Sequence, residues 1–426
     1  MFIKKGILFF FVLFSSFVYS QGEANIWYFG QNAGLDFNSG VPVALTNGQL
    51  NTTEGCATIS NGAGQLLFYT DGITVWDKNH AIMPNGTSLN GNPSSTQSAT
   101  IVPLPGSTTL YYVFTLDAFA GANGFCYSIV DLSLNGGNGD VTTKNILLYT
   151  PSCEKISITK HANNIDYWVV SHQWNSSNFV SYLLTSSGLD VANPVLSNSG
   201  VVVNGNTENA WGQMKISPDG SKLAICNSFI NAEIFDFDNN TGIISNPIVL
   251  IDDYSSYGIE FSPNSQVLYL TNLDGNTPVF KIFQYDLTNP LLINTSIQTI
   301  YTSLSNAQVP ASLQLASDGK IYVAQVYNTH LSVIDNPDQL GIGCNFQLNS
   351  VGLSSGISKY GLPPFVSSFF FTPAIQFQNA CVGESAQFQL SNATITSANW
   401  NFGDGNTSTS LSPTHTFTTA GTYTVS

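Results

Sequence analysis

The stretch MKISPDGSKLAIC, residues 214–226, contains a short alternating strand, a tight turn at Pro218-Asp219-Gly220 and a second hydrophobic strand. Asp-Gly pairs tolerate the positive φ angles that a tight turn between two antiparallel strands requires. The stretch therefore predicts a β-hairpin. Whether this hairpin is isolated or is one copy of a repeat decides the fold of the chain.

The same pattern recurs along most of the sequence. The other copies are ATISNGAGQLLFYT, TIVPLPGSTTLYYVF, ISITKHANNIDYWVV, IEFSPNSQVLYLT and LQLASDGKIYVAQ. Each copy is followed by a third strand that ends in a polar turn, and then by a weaker fourth strand such as IISNPIVL. A unit of four antiparallel strands, A to D, that repeats roughly every 40 to 57 residues is typical of β-propeller blades.

Two segments outside the six copies predict a seventh blade. Near the N-terminus, NIWYFG, GLDFNSG and VPVAL have the character of strands B, C and D without an A. The segment LPPFVSSFFF, residues 362–371, can supply the missing A strand, because a ring without this closure would leave two unpaired sheet edges. The prediction is an all-β, seven-bladed propeller over residues 21–372.

The units resemble the seven-bladed propellers that carry SPDG turns, the YVTN/WD40-like and quinoprotein-like group, over roughly residues 23–371. The WD dipeptide of that group is approached only by VWD at 75–77. The resemblance implies a ring of blades around a central channel.

Residues 373–426 follow another pattern and closely resemble the PKD domain, an immunoglobulin-like β-sandwich of surface proteins. Its W-x-F-G-D-G signature stands at 400–405, and His415, Gly421 and Tyr423 match the second half. Since the sequence stops inside what should be the last strand, we interpret the domain as incomplete and the chain as the front part of a longer protein. In related PKD domains a cysteine placed like Cys381 often pairs with one near the domain's end.

A propeller followed by a PKD domain resembles the exported proteins of gliding bacteria that carry a type IX secretion signal. Residues 1–20 fit export, because Lys4 and Lys5 precede the apolar run GILFFFVLF, and VYS precedes Gln21 as signal peptidase requires. An uncleaved membrane anchor is the alternative, but the run is short for a bilayer span. We predict a secreted or cell-surface protein without membrane insertion after cleavage.

Composition narrows the classes of partner. The formal net charge is −15, only 9% of residues are charged, and arginine is absent. So few cations cannot neutralise a phosphate backbone, which excludes nucleic acid and anionic membranes as expected partners. The expected partner is a surface protein or a polysaccharide. Six scattered cysteines permit disulfides, but the sequence assigns no pairs.

Motifs of catalysis are missing. SCEK at 152–155 fits S-x-x-K but lacks the partner motifs of that enzyme class and reads as a strand. DFDNNTG at 236–242 has the character of a calcium loop but lacks its later glutamate and predicts a turn. No histidine has ligand spacing to another. The sequence therefore assigns no catalytic residue, no cofactor and no metal.

Propeller geometry gives a candidate ligand face, because the D-to-A and B-to-C connections open at the same end of the channel. Aromatic side chains beside amides and acids suit a carbohydrate or a polar peptide. The alternative is that these aromatics only pack between blades. The candidates at the A strands are Glu54, Gln97, Glu154, Lys155, Trp211 and Tyr257, and those in the B-to-C loops are Asp117, Phe119, His172, Trp174, Phe229, Asp274 and Tyr327.

Three functions remain open. The first is a non-enzymatic surface protein for adhesion or motility-linked assembly, with the propeller as binding face and PKD as spacer. The second is a secreted carbohydrate-active enzyme, for which Glu54 and Glu154 would be the acid/base pair. The third is a purely structural propeller. Buried carboxylates with raised pKa on the channel face would favour the enzyme.

Overall fold

The computed structural model describes residues 22–251, 255–273, 279–303, 305, 308–370, 375–378, 382–390, 398–423 and 425. Across these ranges the chain forms β-strands and short 3-10 helices and no α-helix. None of their helices has the length and apolar character needed to span a membrane. The predicted signal sequence lies outside the described residues.

Seven antiparallel sheets follow one another along the chain, and each corresponds to one blade. Blade 1 contains β1 (Ile26–Phe29), β2 (Ala33–Asp36) and β3 (Val43–Leu45), and blade 2 contains β4 (Ala57–Ser60), β5 (Leu66–Thr70) and β6 (Val75–Asp77). Blade 3 contains β7 (Ala99–Pro103), β8 (Leu110–Leu116), β9 (Phe125–Asp131) and β10 (Asp140–Tyr149). Blade 4 contains β11 (Ser152–Lys160), β12 (Tyr167–Gln173), β13 (Ser176–Thr185), β14 (Gly188–Leu189) and β15 (Val195–Val203).

The last three blades each have four strands in the order A-B-C-D. Blade 5 contains β16 (Met214–Ile216), β17 (Lys222–Asn227), β18 (Asn231–Asp238) and β19 (Ile243–Ile251). Blade 6 contains β20 (Ser256–Phe261), β21 (Val267–Leu273), β22 (Phe280–Asp286) and β23 (Gln298–Ser303). Blade 7 contains β24 (Pro310–Leu315), β25 (Ile321–Gln325), β26 (His330–Ile334) and β27 (Phe346–Gly352). The predicted all-β propeller of seven blades is confirmed.

The predicted hairpin at 214–226 joins β16 to β17. Ser217 N donates to the Lys222 carbonyl, and Gly220 adopts φ +71° at the turn. The Asp219 carboxylate accepts hydrogen bonds from the Ser221 amide and hydroxyl, at 3.0 and 2.9 Å. These local bonds satisfy the polar groups of the turn, so the SPDG sequence specifies its own geometry.

Polar side chains fill the centre of the ring. Lys215 in β16 donates from Nζ to Glu260 Oε2 in β20, at 2.8 Å, and to Gln314 Oε1 in β24. All three side chains are buried. The Gln213 side-chain oxygen accepts from the backbone of Ile259 and of Leu313. Blades 5, 6 and 7 are thus linked through paired polar groups in the channel.

Ring closure differs from the prediction. Residues 362–366 form no strand, and Ser367–Phe370 is a 3-10 helix. Pro363 and Pro364 lack the amide hydrogens that a sheet ladder requires, which explains the missing strand. Residue 371 lies outside the described residues.

The chain that follows blade 7, from residue 357 to residue 370, nevertheless connects blade 1 to blade 7. Gln31 and Ile357 exchange two backbone hydrogen bonds, at 2.9 and 3.0 Å. The Phe365 ring packs 5.9 Å from Trp27, whose other side meets Tyr322 of β25 at 5.5 Å. Closure is therefore achieved by this short backbone pairing and by apolar packing rather than by a fourth strand in the sheet of blade 1.

Blade 2 also departs from the predicted four-strand unit. After β6 the described chain continues through turns to residue 98, and the sheet keeps three strands. Asp77 accepts backbone hydrogen bonds from Asn79 and Ala81, which starts this turn-rich connection.

The C-terminal residues form two small sheets. One contains β28 (Ile375–Gln378), β29 (Ser385–Leu390) and β32 (Thr414–Thr416), and the other contains β30 (Trp400–Asn401) and β31 (Thr407–Ser408). Trp400 and Phe402 pack with Phe388 and Phe417 in the core of this unit. The Asp404 carboxylate contacts His415 Nε2 at 2.7 Å, which joins the two halves of the signature. Cys381 lies outside the described residues.

Candidate functional site

The D-to-A and B-to-C connections lie at the same end of the channel, which we call the upper face. Blade 4 shows this directly, since Ser152 at the start of β11 pairs with Gln173 at the end of β12. The ladders of β11, β20 and β24 are irregular in their first residues, between Ser152 and Ile156 in the case of β11. Such irregularities interrupt the alternation of side chains and redirect them.

Four side chains, two from the A strands of blades 4 and 6 and two from the connections before blades 2 and 3, form what we call the acid cluster: Glu54, Thr96, Glu154 and Tyr257. Glu154 Oε2 accepts from the amide and the hydroxyl of Thr96, at 2.8 and 3.1 Å. Its Oε1 accepts from the Phe119 amide at 2.7 Å. Glu154 is therefore fully hydrogen-bonded and has no exposed surface.

Both carboxyl groups of the acid cluster have raised pKa values. Burial, and then the negative charge of Glu154, raise the pKa of Glu54 to about 8, although hydrogen bonding to Tyr257 and Thr96 partly opposes the rise. Burial raises the pKa of Glu154 to about 7, against the effect of its amide donors and of Lys155. Burial therefore favours the protonated form of both carboxyl groups, and the negative charge of Glu154 further opposes ionisation of Glu54.

Polar groups of this cluster lie close to one another. The hydroxyls of Tyr257 and Thr96 are hydrogen-bonding neighbours of the Glu54 carboxyl, and Glu54 and Tyr257 are 8% and 4% exposed. Trp211 Nε1 lies beside the cluster without a hydrogen-bond partner among the described residues. Buried polar atoms without partners cost free energy, so an external acceptor would stabilise this indole N–H.

Exposed aromatic residues surround the acid cluster. Phe119, Phe229 and Tyr327 stand in the B-to-C loops of blades 3, 5 and 7, with exposed fractions of 43%, 37% and 66%. All three adopt left-handed backbone angles, with φ of 56°, 59° and 53°. Bulky residues rarely adopt this conformation, because Cβ crowds the backbone. Asn32 and Asn175 have the same conformation in the B-to-C loops of blades 1 and 4, so the left-handed angle recurs in these turns, and at three of them a bulky aromatic residue accepts the strain.

Two further rings connect these loops to the acid cluster. Trp211 packs between Phe119 and Phe229, with centroid distances of 5.6 and 6.2 Å. Tyr360 packs between Tyr327 and Tyr257, at 6.3 and 6.0 Å. The upper face thus has two aromatic groups with buried acids between them.

Four predicted ligand-binding residues make their contacts within the protein in this structure. The Gln97 side chain bonds the backbone of Ile156 and Met214 in β11 and β16. Lys155 is buried, and its Nζ donates to the carbonyls of Ala210 and Trp211.

His172 and Trp174 are buried as well, at 1% and 9% exposure. His172 lies between Cys153 and Phe179, and burial, with Lys155 nearby, lowers its pKa to about 3. Trp174 packs in a small core with Val203 and Ala210, because the long last strand of blade 4 and the following turn cover it. Neither side chain can stack on a ligand in this conformation.

Asp117 is occupied within its own loop, where Oδ2 accepts from the Asn123 amide at 3.1 Å. Asp274 lies outside the described residues.

Sequence reasoning missed Thr96 and Tyr360. Thr96 immediately precedes the predicted candidate Gln97, and Tyr360 lies just before the predicted closing segment, so both could have been found from those positions. The cysteines that the structure describes, at 56, 126, 153, 226 and 344, are free and buried.

Residues 372–426 match the family model of the PKD domain, a domain typical of extracellular proteins. No curated protein matches the chain significantly.

Solved structures match the chain at low identity. Hydrazine synthase of Kuenenia stuttgartiensis aligns at 12% identity and a TM-score of 0.44, over 83% of this chain and 91% of the other. A quinoprotein alcohol dehydrogenase-like protein of Bacteroides thetaiotaomicron aligns at 12% identity and a TM-score of 0.45, over 79% of this chain and 77% of the other. A protein of Bacteroides fragilis described as a putative 6-phosphogluconolactonase aligns at 11% identity and a TM-score of 0.37, over 73% of this chain and 97% of the other. At these values the similarity gives no information on function.

Proposed function

We propose that this extracellular propeller is a non-enzymatic binding protein that holds a polysaccharide on its upper face. The observation that carries the proposal is the set of three exposed aromatic residues, Phe119, Phe229 and Tyr327, in left-handed conformation at equivalent loops. Aromatic faces stack on sugar rings, and the unpartnered Trp211 Nε1 beside them can donate a directional hydrogen bond to a sugar hydroxyl.

Such binding would serve adhesion or surface assembly, with the PKD domain as spacer. This is the role that the resemblance to motility-associated exported proteins implies. The low content of charged residues fits the proposal, since a neutral or weakly charged polysaccharide needs stacking and hydrogen bonds rather than a charged patch.

The experiment is a glycan-array screen of the chain from residue 21, followed by titration of the best ligand. Phe119→Ala and Tyr327→Ala should each weaken binding about tenfold, as the loss of one stacking contact predicts. Leu291→Ala is the control, because Leu291 is 88% exposed in the C-to-D turn of blade 6, at the opposite end of the channel. Absence of binding to any glycan, or equal loss in all three variants, would refute the proposal.

A carbohydrate-active enzyme is the second candidate, and the raised pKa values of Glu54 and Glu154 favour it. A general acid and a second carboxylate are the groups that glycoside hydrolysis uses. However, Glu154 has no exposed surface and both its oxygens accept protein hydrogen bonds, so it cannot contact a substrate without rearrangement. Release of reducing ends from an array ligand, abolished by Glu54→Gln, would establish the enzyme.

A further inference from the structure

The central channel is occupied by the chain that follows blade 7. Residues 361–370, which we call the plug, are buried or half-buried throughout. Phe365 and Phe370 pack in the core that includes blades 1 and 7, whereas Val366 and Phe369 pack in the core that includes blades 3 and 4. Since these blades face each other across the ring, the plug lies inside the channel.

Contacts at its two ends show that the plug runs along the channel. At the upper face, Gly361 lies so close to Glu54 that an added Cβ would stand 1.9 Å from the Glu54 carbonyl oxygen. At the opposite end, the Lys160 amide at the end of β11 donates to the Ser368 hydroxyl at 3.1 Å. The end of a sugar chain therefore cannot thread into the channel.

The exposed aromatic residues stand on opposite sides of the channel mouth. The first aromatic group is Phe119, Trp211 and Phe229, and the second aromatic group is Tyr327 and Tyr360. Loops of blades 3 and 5 carry the outer rings of the first group, and the loop of blade 7 carries Tyr327. In a ring of seven blades, blade 7 stands across the channel from blades 3 and 4. A ligand that contacts both groups must therefore cross the mouth.

The acid cluster forms the floor between the two aromatic groups. On one side Glu154 accepts from the Phe119 amide at 2.7 Å, and on the other side the Tyr257 ring lies 6.0 Å from Tyr360. The side chains of the cluster are buried and are hydrogen-bonding neighbours of one another. A ligand on the upper face therefore gains most of its contact area from the aromatic rims on either side.

Three charged groups of the upper face are committed to contacts within the protein. Lys155 donates to two backbone carbonyls, and Lys359 donates to Asn51 Oδ1 at 2.9 Å. Glu208 accepts from the Asn206 side chain at 2.9 Å. Stacking and hydrogen bonds, rather than ion pairs, are then the interactions that the face offers, which fits a neutral sugar chain.

We infer that the ligand is an internal stretch of an unbranched, neutral sugar chain, which lies across the channel mouth and contacts both aromatic groups at once. The inference rests on the proposed function and adds to it the form of the ligand and its course over the protein. Because one chain joins the two contacts, the second contact forms at a high effective concentration, and affinity rises with chain length until both groups are reached. The chain ends make no contact, since the plug blocks the channel.

The experiment uses β-1,4-linked glucose oligomers of two to six units, which form flat, extended chains, and measures their binding by titration calorimetry. Cellohexaose should bind at least tenfold tighter than cellobiose, because only the longer chain spans the mouth. Phe119→Ala and Tyr327→Ala, one in each aromatic group, should each remove most of that gain. Leu291→Ala at the opposite end of the channel is the control and should retain it.

Soluble hydroxyethylcellulose, a long chain with few ends, tests whether chain ends take part. It is added as a competitor against fluorescently labelled cellohexaose, at the same mass of sugar as unlabelled cellohexaose. We expect the two competitors to be equally effective, because an internal stretch is available in both.

Equal affinity for all oligomers would overturn the inference and leave the proposed function intact, since a single aromatic group would then hold the sugar. A polymer that competes far more weakly than cellohexaose would overturn it as well, because binding would then require a chain end. Loss of the length dependence in only one of the two alanine variants would contradict contact with both groups. Binding of none of these glucans would overturn the inference, and the array screen would then decide on the proposed function by itself.

Discussion

Glu260 and Glu54 are both almost fully buried acids of the same channel, at 4% and 8% exposure, yet their surroundings are opposite. Glu260, in the interior, accepts from Lys215 and from the Leu315 amide. Glu54, at the upper face, has a second acid beside it, and its hydrogen-bonding neighbours are the uncharged hydroxyls of Tyr257 and Thr96. The interior acid is paired with a cation and links blades, whereas burial and the neighbouring acid favour the protonated form of Glu54.

The comparison gives a criterion for reading polar groups in such a channel. Burial alone does not separate the two acids, because both are removed from water to the same extent. The counter-charge does, because a buried carboxylate without a cation beside it costs free energy.

Removal of the interior cation should have the largest effect. Lys215→Met leaves Glu260 buried without its counter-charge, and we expect the free energy of unfolding of the propeller to fall by about 3–5 kcal/mol. The measurement is urea unfolding followed by tryptophan fluorescence. Lys222→Met is the control, because Lys222 pairs with the partly exposed Asp236, and should cost about 1 kcal/mol or less. Equal losses would contradict the role given to the interior network.

The upper face should respond to pH. The pKa of Glu54 is about 8 in the folded protein, above its ordinary value of 4.5, so folding favours the protonated form. Ionisation of buried Glu54 destabilises the folded protein. This loss of stability is absent below pH 4.5, grows as pH rises and is complete above pH 8. Between about pH 5 and 8 stability should fall by on the order of 1.4 kcal/mol per pH unit for such a group.

Glu54→Gln should flatten this decline, and Glu208→Gln should leave it unchanged. Unfolding free energies at several pH values between 5 and 8 provide the measurement. A slope that is identical in the wild type and in Glu54→Gln would mean that Glu54 titrates normally. The contrast with Glu260 would then lose its basis.

Backbone strain on the upper face should give the smallest effect. Phe119→Gly and Phe119→Ala both remove the ring and should weaken ligand binding equally, but glycine accepts the left-handed angle. We expect the glycine variant to be more stable than the alanine variant by about 0.5–1 kcal/mol. At Leu134, which is exposed with φ −87°, the order should be reversed. Alanine as the more stable variant at both positions would show that Phe119 is unstrained.

The sequence predicted the architecture well because blade formation is local. The turn at Pro218-Asp219-Gly220 and its repeats carry their own hydrogen bonds, so each hairpin is specified within about a dozen residues. Ring closure could not be predicted in detail, since it depends on contacts between residues such as Trp27 and Phe365, more than three hundred positions apart. The two prolines in the closing segment were the available sign that no ladder would form.

For the site, the sequence indicated Glu54, Tyr257 and the loop aromatics but not which candidates are buried. The local sequence pattern predicted that His172 and Trp174 lie in a loop. Trp174 is buried by the last strand of blade 4, which comes later in the sequence and so could not be recognised from the local pattern. The interior network was missed although a signal existed. Aligning MKISPDG, IEFSPNS and LQLASDG puts Lys215, Glu260 and Gln314 in one column, and polar residues at one buried position of successive A strands indicate a shared channel network.

The seal between Gln31 and Ile357 also has a consequence for the order of events during synthesis. Blade 1 is made first, but the residues that cover Trp27 follow about 330 positions later. At roughly 5–20 residues per second, translation takes about 20 to 60 s to supply them. Throughout that interval the first blade lacks this cover, so the nascent chain must either remain unfolded or keep an exposed apolar surface away from its neighbours.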